Sequence, residues 1–182
     1  GPMPHPIMFR DDDLGLAEVR TIALGFPEAF EKVSWGRPVF CAPKIFVNTG
    51  GRPSVPDWPG LRDVPYLTNT SMMAIDFLPD HLVIVGGSYI GLEFAQMYRR
   101  FGSRVTVIEA GPRLIGREDA EVSTAVRALL EGEGIDVHVG AANLSMARQG
   151  SGVRVAFDAA GSAQAIDGSH LLLAVGRVPN TA

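Results

Sequence analysis

The most constraining feature of this chain is a four-residue apolar run, Leu82-Val83-Ile84-Val85, that leads without a break into Gly86-Gly87-Ser88-Tyr89-Ile90-Gly91. A short run rich in β-branched residues suits a strand covered on both faces, as in a parallel sheet. Glycines placed directly after such a strand let the chain turn sharply and let its backbone come close to another group. Beyond the turn, Ile90, Phe94, Met97 and Phe101 recur at helical spacing, and Gly102 is a good terminator. Arg104 to Glu109 then reads as a second strand. Strand, turn, helix and strand in so few residues fit a right-handed βαβ crossover.

Such a turn is suited to a diphosphate. A helix N-terminus offers free N–H groups and a partial positive charge. Gly86 would make the turn out of the strand and Gly91 would let the helix pack close to the sheet. Gly87, Tyr89 and Ile90 fill the intervening positions, and Ser88 stands where the usual fingerprint has its second glycine. The Ser88 hydroxyl offers a hydrogen bond to a phosphate oxygen in compensation. Glu109 ends the second strand at the spacing the fingerprint requires, where a carboxylate accepts both ribose hydroxyls of adenosine and repels a 2′-phosphate. NAD(H) is therefore expected over NADP(H). Ala110 follows at the strand tip, and Arg113 is a cation able to offset that preference or, alternatively, a solvated loop charge.

Downstream, a helix is expected from Glu118-Asp119, with Val122, Val126, Leu129 and Leu130 as its buried stripe and Gly132 and Gly134 at its end. Ile135 to Val139 reads as a third strand, followed by short strands at 144–148, 153–157 and 171–175. Upstream, Asp11-Asp12-Asp13 supply caps for a first helix carrying Leu16, Val19, Ala23 and Phe26, which Gly25 and Pro27 stop. A second short stretch covers 30–39, and Ile45-Phe46-Val47 reads as a strand. From Asn48 to Leu61 the chain is rich in Pro and Gly, and Leu78-Pro79-Asp80 marks the main boundary. The fold class expected is α/β: a Rossmann-like βαβ parallel sheet with helices on both faces, a small antiparallel β-meander and a helical N-terminal segment.

Bulk properties narrow the function. A net charge of −4 argues against a nucleic-acid or anionic-membrane surface. No apolar run is long enough to span a bilayer. The single cysteine, Cys41, has no partner for an internal disulfide, and the four histidines are scattered, so a zinc site is not expected. This composition fits a reducing cytoplasm. The opening Gly1-Pro2 looks like a tag scar.

The segment LVIVGGSYIGLEFAQMYRRFGSRVTVIE resembles the NAD(P)H domain of the pyridine nucleotide-disulfide oxidoreductases, with mercuric-reductase-like members and dihydrolipoamide dehydrogenase nearest. LLLAVGRVPNT resembles the strand by which that domain returns to the flavin domain, and IFVNTGGRPSVPDWPGL resembles the segment just before it. The resemblance implies that residues 86–91 hold the pyrophosphate. Tyr89 would lie over the flavin and swing aside for nicotinamide, or simply pack. Glu93 would sit near the nicotinamide end, or compensate the helix dipole. Glu109 would bind the adenosine ribose, Asn143 would fall near the adenine pocket, and Gly176 would pass close to the nicotinamide ribose. In the family, hydride moves from NAD(P)H to FAD and on to a redox disulfide. The family's FAD fingerprint and cysteine pair are absent from this sequence, so FAD is not expected to bind and the chain is not expected to turn over alone. Thr49 and Gly50 match a stretch that touches FAD in the family.

The first part carries a different resemblance. VRTIALGFPEAFEKVSWGRPVFCAPKIF resembles the start of the MmcQ/YjbR proteins, whose fold is like that of frataxin. Trp35 and Cys41 read as packing residues there. The organisation expected is an N-terminal MmcQ/YjbR-like fragment at 1–47, a linker resembling the end of a FAD-domain half at 48–80, and a nucleotide-binding domain at 81–182, joined as a chimera. Three functions follow: a nicotinamide dinucleotide-binding module; an MmcQ/YjbR-like interaction or nucleic-acid-linked protein; or an oxidoreductase completed by a flavin half from another chain. Uncovered family interfaces predict a homo-oligomer.

Overall fold

The structure is a computed structural model and describes residues 15–25, 28–34, 37–42, 45–46 and 50–180. The expected cap at Asp11–Asp13, the stop at Pro27, Trp35 and Thr49 lie outside the described residues. The chain divides into two units, Gly1–Arg52 with Arg177–Ala182, and Pro53–Gly176.

In the first unit, helix α1 (Leu16–Leu24) starts after Gly15, whose left-handed φ of 85° suits glycine. Strands β1 (Phe30–Ser34), β2 (Arg37–Ala42) and β3 (Ile45–Phe46) form an antiparallel sheet in that order. The segment is thus helix plus sheet, where the sequence suggested mainly helix. Arg20 donates from two guanidinium nitrogens to the Glu31 carboxylate at 2.7 and 2.9 Å, tying α1 to β1. A short strand β4 (Gly51–Pro53) pairs with the last strand of the chain, at Arg177–Pro179.

The second unit is built on a parallel sheet. Its elements are a 3₁₀ turn at Leu61–Asp63, β5 (Leu67–Thr68), α2 (Asn69–Met72), β6 (His81–Val85), α3 (Tyr89–Phe101), β7 (Arg104–Ile108), α4 (Ala120–Gly132) and β8 (Asp136–His138). These are followed by β9 (Ala142–Gln149), β10 (Gly152–Ala159), β11 (Ser162–Gly168) and β12 (His170–Leu173), with β13 being Arg177–Pro179. The sheet order is β5-β12-β6-β7-β8, and every neighbouring pair is parallel. All five residues of β6 are buried, as its unbroken apolar run requires.

Side chains alternate across the sheet. Leu82, Ile84, Val105, Val107 and Leu172 face one way and pack with Leu92, Phe94, Ala95 and Tyr98 of α3 and Leu130 of α4. Val83, Val85, Ile108, Leu171 and Leu173 face the other way and pack against Leu144, Met146, Val153, Val155 and Phe157 of the meander β9-β10-β11, with Leu61 of the 3₁₀ turn. The α/β class and the meander are as expected; on this second face the cover is the meander and one 3₁₀ turn.

Two helical stripes differ from expectation. In α3 the buried positions are Gly91, Leu92, Phe94, Ala95 and Tyr98, while Met97 and Phe101 are exposed. The helix turns the 91/94/95/98 row inward because Gly91 permits the closest approach to the sheet. In α4, Ser123 and Leu130 are buried while Val122 and Leu129 face outward. Ser123 is tolerated inside because its hydroxyl donates to the Leu114 carbonyl at 2.8 Å.

At the far end of the sheet from the glycine turn, the buried His81 ring bridges the Asp167 carbonyl at 2.7 Å and the Thr106 hydroxyl at 2.9 Å. Burial, then the nearby Arg104 charge, hold its imidazole below the usual range.

Candidate functional site

Strand β6 ends at Val85 and the chain turns at Gly86, where φ is 118°. A β-carbon at Gly86 would lie 2.3 Å from the Ala174 carbonyl oxygen, and one at Gly91 would lie 2.0 Å from the Gly86 carbonyl oxygen. One glycine therefore lets the turn pass under the end of β12, and the other seats the helix against the turn. At Gly87 a β-carbon would press on Leu114 and Glu109 at 2.6 and 2.9 Å.

Ser88 is the N-cap residue of α3, exposed, and its hydroxyl makes no capping bond. The first intrahelical bond runs from Leu92 N–H to the Ser88 carbonyl at 3.0 Å. Helix geometry thus leaves the amides of Tyr89, Ile90 and Gly91 without intrahelical acceptors at the positive end of the dipole.

Glu109 lies just past the tip of β7, and its side chain points back to this turn. One carboxylate oxygen accepts the Gly87 N–H at 2.5 Å and the other accepts the Gly111 N–H at 2.6 Å. Each oxygen keeps a lone pair, because an ionised carboxylate has about four acceptor sites. Ala110 beside it is exposed.

The segment after Glu109 docks on the glycine turn. Ile115 N–H donates to the Gly87 carbonyl at 2.8 Å, and Leu114 and Ile115 are buried. Arg113 donates to the carbonyls of Gly116 and Glu118, both at 3.1 Å, so its guanidinium braces its own loop. Tyr89 donates from its hydroxyl to Glu118, and this bond is the main reason its phenol is held above the ordinary range.

Next to the turn is a cleft of about 130 Å³ lined by Asn69, Ser88, Tyr89, Ile90, Leu173, Ala174 and Gly176. It is smaller than the roughly 300–1,000 Å³ of a whole-ligand pocket, so it suits one end of an elongated molecule. Gly176 has φ of 109° and open space where a side chain would stand. The structure therefore gathers Ser88, Tyr89, Ile90 and Gly176 at one end and Gly87 and Glu109 at the other. Glu93 is exposed, lies past the first helical turn and does not line the cleft. Asn143 is exposed with φ of 52°, and its amide nitrogen donates to Asp158 at 2.8 Å.

Sequence reasoning missed Asn69 and Glu118. Asn69 opens α2, whose start is fixed by a capping box between Thr68 and Ser71. Thr68-Asn69-Thr70-Ser71 signals a helix start, but nothing local says that this start meets β12. Glu118 was read only as a helix-start acid.

The pyridine nucleotide-disulphide oxidoreductase family matches residues 31–182, beginning inside the stretch assigned above to the N-terminal fragment. A mercuric reductase of Streptomyces lividans is 40% identical over 136 residues, covering 75% of this chain and 28% of the relative. The probable pyridine nucleotide-disulfide oxidoreductase RclA of Escherichia coli is 38% identical over 140 residues, covering 76% of this chain and 31% of that protein. Among solved structures, the Cu(II) complex of the HOCl-induced flavoprotein disulfide reductase RclA from Escherichia coli superposes with a TM-score of 0.64 at 34% identity, over 74% of this chain and 31% of that one. This chain thus spans less than a third of the length of these relatives. A match over most of the chain, joined to a strand, glycine turn and acid in the described geometry, shows that it belongs to the pyridine nucleotide-disulphide oxidoreductase family.

Proposed function

We propose that residues 53–176 form a module that holds a nicotinamide dinucleotide, NAD(H) in preference to NADP(H), for an oxidoreductase whose flavin is held elsewhere. The observation that carries this reading is the Glu109 carboxylate hydrogen-bonded to the Gly87 amide. That bond puts an acid beside a helix N-terminus whose glycines leave no room for side chains.

In this reading the amides of Tyr89, Ile90 and Gly91 hold the diphosphate, and the Ser88 hydroxyl adds a donor. The remaining lone pairs of Glu109 accept the adenosine ribose hydroxyls, and its charge opposes a 2′-phosphate. Gly111 N–H fixes the carboxylate, so little side-chain freedom is lost on binding. The cleft at Ser88, Ile90 and Gly176 receives the nicotinamide end, whose bound ring supplies a hydride. Ala110 flanks the adenosine side. Arg113 and Asn143 have their polar groups engaged within the protein and serve as walls, and Glu93 stands outside the contact set.

Calorimetric titration with NADH and NADPH tests the reading. Wild-type protein is expected to prefer NADH. Glu109→Ala should weaken NADH about tenfold, as for loss of a charge-assisted hydrogen bond, and narrow the gap to NADPH. Unchanged affinity for both nucleotides in the variant would remove Glu109 from the site, and a flavin absorbance band in the purified chain would overturn the assignment of flavin elsewhere.

A further inference from the structure

The loop between β7 and α4 is held more firmly than its exposure suggests. Ile115 is a β-branched residue at φ of 39°, a conformation that persists only where surroundings enforce it. The enforcing contacts are its N–H bond to the Gly87 carbonyl and its burial. Glu118 inherits that rigidity. Its N–H donates to the Ile115 carbonyl at 2.8 Å, and its own carbonyl accepts from Arg113. The carboxylate is therefore presented from a fixed backbone, and it takes the Tyr89 hydroxyl.

Tyr89 is 53% exposed at the mouth of a cleft whose walls include Ile90, Leu173 and Ala174. A large ring in that position gains by collapsing onto the apolar wall unless something holds it off. Among the described residues its hydroxyl has one hydrogen-bond partner, Glu118, and the other charge facing the phenol is Arg117.

We infer that Glu118 is a positioning residue whose carboxylate holds the Tyr89 ring off the cleft wall and so keeps the nicotinamide end open. The inference rests on the dinucleotide reading given above. Without the tether, the ring occupies the cleft for part of the time, and affinity falls by the fraction of molecules that remain open. A ligand that ends at the diphosphate-linked ribose, with no nicotinamide, does not meet this barrier.

The test titrates NADH and ADP-ribose against wild type, Glu118→Ala, Glu118→Gln and Tyr89→Phe. Glu118→Ala should weaken NADH about three- to tenfold and leave ADP-ribose within about twofold. Glu118→Gln keeps an acceptor oxygen and should recover most of the NADH affinity. Tyr89→Phe should weaken NADH similarly, and the double variant with Glu118→Ala should lose no more than either alone. Equal weakening of both ligands, tighter NADH binding, or additive losses would overturn the inference. A second readout is near-ultraviolet titration of the tyrosines: the phenol absent from Tyr89→Phe should ionise at lower pH in Glu118→Ala than in wild type. If wild type binds neither ligand, the dinucleotide reading fails by itself; an unchanged phenol titration sinks the tether independently.

Discussion

Helices α1 and α3 both carry apolar residues at helical spacing but end in opposite circumstances. Helix α3 buries Gly91, Leu92, Phe94, Ala95 and Tyr98 against the parallel sheet. Helix α1 leaves Ile22 68% and Leu24 40% exposed, and Phe30 of the neighbouring strand is 53% exposed. Ala23 is the one buried apolar side chain described in the N-terminal unit. A helix of nine residues is too short to be stable by propensity alone, so its persistence depends on tertiary cover. Among the described residues the two units therefore differ in what holds them: burial on two faces of a sheet in one, and backbone pairing plus the Arg20–Glu31 pair in the other.

The sharpest way to break this comparison is core truncation. Leu172 has no exposed surface and lies between β5 and β6. Leu172→Ala should destabilise the second unit by about 3–5 kcal/mol in urea unfolding. Ile22→Ala should change stability by no more than about 0.5 kcal/mol. A loss near 2 kcal/mol at Ile22 would mean that α1 is covered in solution after all.

A smaller effect separates two helical glycines. Gly91→Ala drives a methyl into the Gly86 carbonyl and should destabilise by about 1–3 kcal/mol, with loss of measurable NADH binding. Gly132→Ala, with nothing near its would-be β-carbon, should instead stabilise by about 0.4–1 kcal/mol. Thermal melts of the pair check whether the turn or the helix interior sets the requirement.

The smallest expected effect is in pH. Burial holds the His81 imidazole below its ordinary value of about 6.5, so below that pH the unfolded chain binds a proton that the folded one resists. This contribution to the stability of the second unit is full well above about pH 6.5 and declines as pH falls toward the folded value, after which it levels off. His81→Gln should flatten that slope in melts between pH 7 and 5. An unaltered slope would assign it to other groups, such as Asp167 and Glu133, whose carboxyls are held low by Arg154 and Arg100 and whose support fades at more acid pH.

The glycine turn, β6, β7 and the direction of Glu109 were legible because each follows from a local rule: an apolar run, a turn and a fixed spacing. Asn69 in the cleft was not legible, since it arrives there only when β5 pairs with β12. Strand β11 was missed because Ser162-Ala163-Gln164-Ala165 has little strand preference; pairing with β10 supplies what propensity lacks. The outward turn of Met97 and Phe101 was hidden for a related reason: hydrophobic period gives a face, but the glycine contact decides which row lies deepest. Arg113 and Asn143 carry the residue types a ligand site needs, yet carbonyls and Asp158 reach them first. Residues 31–44 carried only the MmcQ/YjbR resemblance in sequence, yet the family match begins at residue 31, and local pattern alone had no means of finding that start.

The position of β12 has a consequence for how the molecule comes into being. It is the last strand of the parallel sheet in sequence yet lies beside the first βαβ strand; His81 and Ser169, in contact across that junction, are 88 positions apart. During synthesis, the β6-α3-β7 crossover emerges with one edge of β6 bare until the meander and β12 have followed. The long loop closure slows maturation and leaves an adhesive strand edge waiting. Truncations that stop inside the meander therefore yield aggregation-prone stubs, whatever the quality of their glycine turn.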